Sequence, residues 1–439
     1  MAKSLKSIAS SSLDAQLIST LNSREERNIR RKLPEPCTFT LGNTDLIDFN
    51  SNDYLSLASS PILRERFLKK LHAAPDILGS GGSRLLVNGK AHSALEARLA
   101  KFFGSPAAVL FNSGYDANVG FFSCIPQAGD VLVHDEYIHA SVHDGIRASR
   151  VRNAAFPFEH NSIPSLRALL TKLLNERPDL RTGQSSLFVA VESLYSMDGT
   201  FSPLVEITET IEEFFPQRNG YLIVDEAHAT GIFGPQGRGR VAELGLEDKV
   251  LARLHTFGKA LAASGAIVLT SELIRNYMIN YARSLIYTTS LNIASVIAAD
   301  TSFDMLIDGT SQQHAKSVLA VSRYLVEQLR HRLRTVPIHL LALPAHIQQS
   351  TLISPIVPVM TTRPKPLSAY LRTLGMVALP ISWPTVPKGK DRIRLCMHAG
   401  NTKAEVDRLV EGMLQWAERE KNAEVEEAKD GVIVVQSKL

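Results

Sequence analysis

The sequence contains few cysteines and little net charge. Its 439 residues include three cysteines, at 37, 124 and 396, which are far apart and lack CxxC spacing. A disulfide framework and a zinc site are therefore not expected, and a reducing compartment is favoured. The formal net charge is only +4, and no basic stripe carries interleaved aromatic residues, so nucleic acid is not a predicted partner.

Long hydrophobic runs are also missing. No stretch approaches the length of a membrane-spanning helix, so no membrane partner is expected. Residues 1–12 contain lysines and serines but no apolar core of a secretory signal. Hydrophobic residues still make up 44% of the chain, which is enough for a large core, and the length predicts a large domain with a smaller one.

Short apolar runs alternate with longer amphipathic stretches between about 61 and 300. The clearest runs are Ala107–Phe111, Val131–Val133, Leu187–Val191, Tyr221–Val224 and Ala266–Leu269. Continuous apolar runs of this length suit parallel strands that are buried on both faces. The alternation therefore predicts an α/β fold with a mostly parallel sheet flanked by helices.

The composition divides the chain into four predicted segments. These are an N-terminal arm and linker at 1–60, a large domain at 61–300, a smaller C-terminal α+β domain at 301–420 and a tail at 421–439. The arm contains a charged helical stretch at 14–33. The small domain combines a helical pattern at Gln312–Leu333, strands at Ile353–Met360 and Arg392–Met397, and a last amphipathic helix at Thr402–Glu418.

An acidic cluster follows the apolar run Tyr221–Val224. The letters DEAH at 225–228 put Asp225 at the carboxyl end of a predicted strand, where open α/β sheets bind ligands. An acid there can hold a protonated ring nitrogen, and His228 lies in the following turn. The same letters form a helicase box, but that function requires a GxxxxGK[ST] loop, which the sequence lacks. A buried Asp–His pair with a structural role stays open at this point.

A lysine among small residues follows 34 positions after Asp225. Lys259 lies in HTFGKALAASG at 255–265, and small neighbours let a flat ring approach the backbone closely. A partly desolvated amine there can be neutral and nucleophilic. Taken alone, the segment also fits an exposed structural lysine. Its pairing with the Asp225 cluster favours the chemical role.

Three weaker motifs accompany these clusters. The turn SGY at 113–115 leads from a predicted strand into a helix whose first amides form a cradle for phosphate, although Ser-Gly turns are common. The loop Gly79–Arg84 lacks GxGxxG spacing and predicts a tight turn near a ligand or a subunit boundary. His139 offers a flat imidazole that could stack on a ring, and an ordinary polar histidine is the alternative.

Together these motifs resemble those of the α-oxoamine synthases, which are fold-type I pyridoxal-phosphate enzymes. The resemblance runs from about 25 to 418. Its motifs occur in the order of that family: SNDYL at 51–55, Gly79–Arg84, SGY at 113–115, Glu192–Gly199, Asp225–Gly231, Thr256–Lys259 and PTVP at 384–387. The resemblance implies the fold-type I architecture, pyridoxal 5′-phosphate as cofactor and a homodimer.

The resemblance also implies roles for individual residues. Lys259 would carry the cofactor as a Schiff base and move a Cα proton, and Asp225 would pair with the pyridine nitrogen. The implied catalytic residues are Lys259, His139, Asp225 and His228. The implied cofactor-binding residues are Gly114, Tyr115, Ser196, Asp225, His228, Thr256, Lys259 and, donated by the partner subunit, Thr289. The implied substrate-binding residues are Arg30, Asn52, His139 and Thr385. No metal site is implied.

One position departs from the pattern of that family. An arginine that grips the carboxylate of the amino acid usually stands two residues before PTVP, and this chain has Ser382 there. A hydroxyl cannot replace a bidentate guanidinium. Either another arginine supplies the clamp, with Arg84, Arg392 and Arg394 as candidates, or the carboxylate is recognised differently.

The resemblance leaves three functional hypotheses. The first is decarboxylative condensation of L-alanine with pimeloyl-CoA to 8-amino-7-oxononanoate, CoA and CO2, a step of biotin biosynthesis. The second is a sister reaction that uses glycine or serine with another acyl thioester. The third is a catalytically inactive binding subunit. The tripeptide Ser437-Lys438-Leu439 is a peroxisomal address, so import through its receptor is expected, with the cytoplasm as the alternative.

Overall fold

The computed structural model describes residues 11–27, 29–31, 33 and 46–436, so the tripeptide Ser437-Lys438-Leu439 lies outside the described residues.

The strands are β1 (Ile47–Asp48), β2 (Ala107–Phe111), β3 (Val131–Asp135), β4 (Ala155–Phe158), β5 (Leu187–Glu192), β6 (Gly220–Asp225), β7 (Val250–Thr256), β8 (Ala266–Thr270), β9 (Ile356–Met360), β10 (Met376–Val377), β11 (Pro380–Ile381) and β12 (Arg392–Cys396).

The helices alternate with these strands. They are α1 (Ser12–Glu26), α2 (Pro61–Ala73), α3 (Lys90–Phe103), α4 (Gly114–Cys124), α5 (Ala140–Arg147), α6 (Ile163–Glu176), α7 (Pro178–Arg181), α8 (Leu204–Phe214), α9 (Arg240–Glu243), α10 (Glu272–Tyr281), α11 (Arg283–Ile286), α12 (Ile293–Ile307), α13 (Gln312–Arg332), α14 (Ala345–Gln349), α15 (Pro364–Thr373) and α16 (Lys403–Gln436). In the described part of the chain, no helix is both long and apolar enough to cross a bilayer.

The largest sheet of the described residues has seven strands in the order β2-β8-β7-β6-β5-β3-β4. All neighbours from β7 to β4 are parallel, which confirms the predicted α/β fold with a mostly parallel sheet. All five predicted apolar runs lie in strands. β8 differs in direction, because it is antiparallel to both of its neighbours. The connection 257–265 is shorter than the dozen or so residues that a parallel crossover needs, so the chain turns back on itself.

Helices cover both faces of this sheet, and successive residues of one strand show it. Phe188 of β5 packs with Phe121 of α4 on one face, whereas Val189 packs with Leu166 of α6 on the other. Because side chains of a strand alternate between faces, a strand covered on both sides must be apolar throughout. The unbroken apolar runs of the sequence therefore follow from the two helical layers.

The C-terminal part has its own sheet, in which β12 lies between β11 and β9, and all pairs are antiparallel. β1 pairs in parallel with β10, and Phe49 and Tyr54 are buried in the same core as residues of α13 and α16. The segment around 46–57 is thus packed rather than a free linker. Helix α16 continues to Gln436, past its predicted end at Glu418. The domain boundaries at 60, 300 and 420 stay predictions.

Candidate active site

Three neighbouring parallel strands deliver the polar residues of the site to one edge of the large sheet. β5 ends at Glu192, β6 at Asp225 and β7 at Thr256. Glu192 and Asp225 are direct register partners, and Asp225 pairs with Leu254 of β7. The carboxyl ends of parallel strands are where open α/β sheets bind ligands. The short turn after β7 then places Lys259 at this same edge.

The structure brings Lys259, His228 and Asp225 together, as the sequence predicts. The Nζ atom of Lys259 lies 2.9 Å from Nε2 of His228. Burial lowers the pKa of Lys259 to about 8, while the carboxylates of Asp225 and Glu192 act in the opposite direction. More of the amine is therefore neutral near neutral pH than in an ordinary lysine, and the neutral amine is the form that reacts with an aldehyde.

The carboxylate of Asp225 is buried and held by two donors. Its Oδ1 atom accepts a hydrogen bond of 2.9 Å from the amide of Ala227, and its Oδ2 atom accepts one of 2.9 Å from the side chain of Asn118. Asn118 also donates to the hydroxyl of Ser141, which lies 2.7 Å from Nδ1 of His139. Asp225 and His139 are thus the two ends of one hydrogen-bonded chain.

The predicted phosphate cradle lies where α4 meets the end of β7. Ser113 caps α4, and the first amides of a helix, here those of Gly114 and Tyr115, have no acceptor within the helix. A Cβ atom added to Gly114 would lie 3.4 Å from Oγ1 of Thr256. The predicted groups on the two elements are therefore close enough to contact one anion, at a helix end that favours negative charge.

These residues fit pyridoxal phosphate. The site combines a partly neutral lysine for the aldehyde, a buried acid for the ring nitrogen and a helix N-terminus beside a hydroxyl for the phosphate. His228 is buried next to Lys259, and desolvation together with the charge of Lys259 holds its pKa well below the usual value. A neutral imidazole can donate a hydrogen bond from one nitrogen while it accepts one at the other.

Three residues of the site were not predicted. Asn118 follows Gly114 by four residues on one helical face, and that spacing was an available signal. Glu192 ends a predicted apolar run, and its buried carboxyl accepts a hydrogen bond from the amide of His139. Tyr54, within the SNDYL motif, places its hydroxyl 2.7 Å from Nδ1 of His228. That contact joins distant segments, so no local pattern reveals it.

Two other predicted residues contact a single arginine from the small C-terminal sheet. Asn52 accepts a hydrogen bond of 2.9 Å from Nη2 of Arg394, and the carbonyl of Ser196 accepts one from Nε of the same guanidinium. Arg394 is itself buried, and its positive charge lowers the pKa of Lys259. The structure thus links Asn52 and Ser196 to an arginine whose charge acts on the lysine.

In the described part of the chain, none of the remaining predicted residues makes a hydrogen bond or ion pair with Lys259. Arg30 is 3.6 Å from Glu25. Thr385 is exposed on the loop before β12. Thr289 is also exposed, and its carbonyl accepts a hydrogen bond of 2.6 Å from Asn112, next to the phosphate cradle. An exposed Thr289 is compatible with its implied role toward a partner subunit.

Comparisons with known proteins agree with this geometry. Residues 44–413 match the family model described as aminotransferase class I and II. An 8-amino-7-oxononanoate synthase of Emericella nidulans is 44% identical over 91% of this chain and 94% of its own length. The aminoacyl transferase sphA of Aspergillus fumigatus is 37% identical over 90% of this chain and 87% of its own.

Solved structures show the same fold. A serine palmitoyltransferase from S. paucimobilis with a bound PLP–myriocin aldimine superposes with a TM-score of 0.77, at 24% identity, over 93% of this chain and 98% of that one. An 8-amino-7-oxononanoate synthase from Francisella tularensis gives a TM-score of 0.66, at 25% identity, over 87% of this chain and 99% of that one.

Proposed function

This chain belongs to the aminotransferase class I and II family and, within it, to the α-oxoamine synthases, and on this premise we propose that it condenses L-alanine with pimeloyl-CoA to 8-amino-7-oxononanoate, CoA and CO2. It is a pyridoxal-phosphate-dependent acyltransferase. The observation that carries the proposal is the amine of Lys259, which lies 2.9 Å from His228 and close enough to Asp225 for that carboxylate to act on its pKa. The synthase of Emericella nidulans, 44% identical over nearly the whole chain, supports the choice of substrates.

The residues that would hold the cofactor are those that converge at the sheet edge. Lys259 would bind its aldehyde carbon, Asp225 its ring nitrogen, and the amides of Gly114 and Tyr115 with the hydroxyl of Thr256 its phosphate. When bound, the cofactor supplies a protonated ring that accepts electron density from the Cα atom of the amino acid. The hydrogen bonds from Asn118 and from the amide of Ala227 hold the carboxylate of Asp225 in place, where it would pair with that ring nitrogen.

Proton transfer at Cα falls to Lys259. Its pKa of about 8 allows the amine to take up a proton and to release it again near neutral pH, which matches the needs of a general base and acid. His228 is neutral and fixed beside this amine, so it orients Nζ without adding a charge.

Arg394 is the arginine best placed to compensate for Ser382. Arg84 is already engaged by Glu96, at 2.7 and 2.9 Å, and Arg392 by Asp198 at 2.5 Å. Arg394 donates from Nε and Nη2 to uncharged groups of Ser196, Asn52 and Tyr54, and within the described residues its Nη1 group makes no hydrogen bond. We therefore assign the carboxylate of the amino acid to Arg394.

A sister reaction is the second candidate. Two aminoacyl transferases named sphA, from Aspergillus fumigatus and Byssochlamys spectabilis, are 37% and 40% identical to this chain, and Ser382 alters a position near the substrate loop. An inactive subunit is not favoured, because Lys259, Asp225 and His228 retain the geometry of a working site.

One assay separates the first two candidates. The purified enzyme is supplied with alanine, glycine or serine and with acyl-CoAs of increasing length, and the release of free CoA is followed. The proposal predicts the highest kcat/KM for alanine with pimeloyl-CoA. Preference for glycine or serine with a longer, monocarboxylic chain would instead establish the sister reaction.

Two further proposals concern the molecule in the cell. A homodimer would let Thr289 of one chain contact the phosphate bound by its partner. Tyr287 is exposed just before Thr289, and the exposed Leu78 and Leu86 lie on a segment whose carbonyls accept hydrogen bonds from the amides of Ser290 and Ile293. Import into peroxisomes would follow from Ser437-Lys438-Leu439. Deletion of this tripeptide should leave activity intact and move a tagged protein to the cytosol, and an unchanged punctate distribution would argue against it.

A further inference from the structure

Tyr54 contributes its hydroxyl group to the back of the site. Its side chain is fully buried in the core shared with α13 and α16. The hydroxyl oxygen lies 2.7 Å from Nδ1 of His228 and 3.1 Å from Oδ1 of Asn52, and Nη2 of Arg394 donates to it at 3.4 Å. Through Tyr54, the SNDYL motif therefore contacts one nitrogen of the imidazole whose other nitrogen contacts Lys259.

The hydroxyl of Tyr54 has one proton, and its neighbours decide where that proton points. Arg394 can only donate, so it is no acceptor for the phenol. Oδ1 of Asn52 accepts a hydrogen bond of 2.9 Å from Arg394 and has a second lone pair within 3.1 Å of the phenol, but it is the more distant of the two acceptors. His228 is neutral and closer, so the proton points to its Nδ1 atom. The imidazole must then carry its own proton on Nε2, which faces Lys259.

We propose that Tyr54 is a positioning residue that fixes the tautomer of His228, so that His228 presents an N–H donor to the nitrogen of Lys259. At the 2.9 Å separation, Nζ then accepts this hydrogen bond with its lone pair, so this tautomer favours the neutral form of the amine. The inference rests on the proposed function, because the neutral nitrogen matters as the atom that binds the cofactor. Without the phenol, the buried imidazole is free to move its proton to Nδ1 and to accept from Lys259 instead.

Other groups around this pair act on charge but do not choose the tautomer. The titratable and charged groups that face His228 and Lys259 are His139 before α5, Glu192 of β5, Asp225 of β6 and Arg394 of β12. Among the described residues, Tyr54 and Lys259 are the hydrogen-bond partners of the His228 side chain. Tyr54 is thus the group that can set the protonation of Nδ1.

Tyr54→Phe tests the assignment, because it removes one oxygen and keeps the ring that fills the core. The first readout is the ¹⁵N spectrum of histidine-labelled protein, in which His228 is identified by comparison with His228→Gln. We expect the wild type to carry the His228 proton on Nε2 and Tyr54→Phe to shift it toward Nδ1. This measurement works with or without the cofactor, so it does not depend on the proposed function.

The second readout is the pH dependence of the visible absorption of bound pyridoxal phosphate. In Tyr54→Phe, Nε2 of His228 would accept instead of donate, which stabilises a proton on the Lys259 nitrogen. The midpoint pH of the absorption change should therefore rise by about one unit, the equivalent of one hydrogen bond. Tyr195→Phe is the matched control, since Tyr195 is equally buried and its hydroxyl contacts Ser202 rather than His228. Its midpoint should equal that of the wild type.

A Tyr54→Phe protein whose His228 proton stays on Nε2 overturns the inference, even if its activity falls. A midpoint that does not move in Tyr54→Phe, or that moves equally in Tyr195→Phe, overturns it too. If the wild type itself shows no visible absorption with pyridoxal phosphate, the proposed function fails, and the ¹⁵N spectra still decide the role of Tyr54.

Discussion

The amine of Lys259 is surrounded by groups that act on its protonation in opposite directions. Burial and the guanidinium of Arg394 favour the neutral form, whereas the carboxylates of Asp225 and Glu192 favour the charged one, and burial prevails. The pKa of Glu192 is itself raised well above its usual value by burial and by Asp225. Asp225 thus disfavours a second negative charge beside it, which suits a site that must hold one cationic ring.

The rate at which cofactor-free protein takes up pyridoxal phosphate should follow this balance. Only the neutral amine attacks an aldehyde, so the rate should rise with pH and level off above about 8, the pKa of Lys259. Asp225→Asn removes a charge that raises this pKa, so its midpoint should move to lower pH. Stopped-flow absorbance at a series of pH values measures both. A midpoint near that of a free lysine would contradict the described environment.

Arg394 should govern the affinity for the amino acid. Arg394→Gln removes a charged donor to a carboxylate, a contact of about 2 kcal/mol, so KM for alanine should rise roughly 30-fold while the absorption of bound cofactor is retained. Ser382→Ala is the control and should leave KM for alanine unchanged. Steady-state kinetics in alanine distinguish them. A KM that responds to Ser382→Ala and not to Arg394→Gln would place the clamp at the loop before PTVP.

The residues that the sequence predicted share a local motif, whereas those that it missed contact residues far away along the chain. Asp225 and His228 share one turn, so their motif is local. Tyr54 contacts His228, and Arg394 contacts Tyr54, only because the SNDYL segment and β12 fold onto the large domain, and the spacing of residues in either segment does not reveal that packing. Three arginines were therefore equal candidates before their partners in space were known.

At the scale of elements, the loop between β5 and α8 joins the two parts of the molecule. Arg392 and Arg394 of β12 donate to the carbonyls of Met197 and Ser196, so the small sheet holds the loop that carries Ser196. Gly199 has a φ of +65°, and a Cβ atom there would lie 2.1 Å from the carbonyl oxygen of Ile356. Only glycine allows this approach of loop and sheet.

Gly199→Ala should therefore destabilise the protein by about 3 kcal/mol, through backbone strain together with the collision. Gly104→Ala is the matched control, because Gly104 has a similar φ of +63° and open space around it, so it should lose only about 1 kcal/mol. Chemical denaturation of both variants gives the comparison. Equal losses would mean that the loop yields freely and does not tie the sheet to the site.

The elements themselves were largely predictable, and their directions and ends were not. Apolar runs fixed by burial on two faces identified β2, β3, β5, β6 and β8. The reversal of β8 depends on the length of the preceding connection, and β4, with a proline among its residues, lacks a continuous apolar run. Directly after Glu418 the sequence of α16 becomes mostly charged. The apolar periodicity therefore predicted a helix end at Glu418, although the helix continues to Gln436.

At the scale of the whole molecule, the proposed dimer makes a prediction about shared sites. The protein should elute with twice the 48.2 kDa mass of one chain. Thr289→Ala should weaken the binding of pyridoxal phosphate about tenfold, the cost of one hydrogen bond to an anion.

Mixing two variants shows whether Thr289 acts across the interface. In a dimer of Thr289→Ala with Lys259→Ala, one site would combine an intact lysine with an intact threonine from the other chain. Mixed and exchanged subunits should therefore regain tight binding at one site of each hybrid. Failure to regain it, in a protein that does exchange subunits, would place Thr289 in the site of its own chain.

The proposed function of the whole molecule depends on a covalent bond between the cofactor and Lys259. The most direct measurement is reduction of the holoenzyme with borohydride, followed by digestion and mass spectrometry of the phosphopyridoxyl peptide. The account predicts that the label lies on Lys259 and that Lys259→Ala takes up none and has no turnover. A label on another lysine, or condensation of alanine with pimeloyl-CoA by Lys259→Ala, would contradict it.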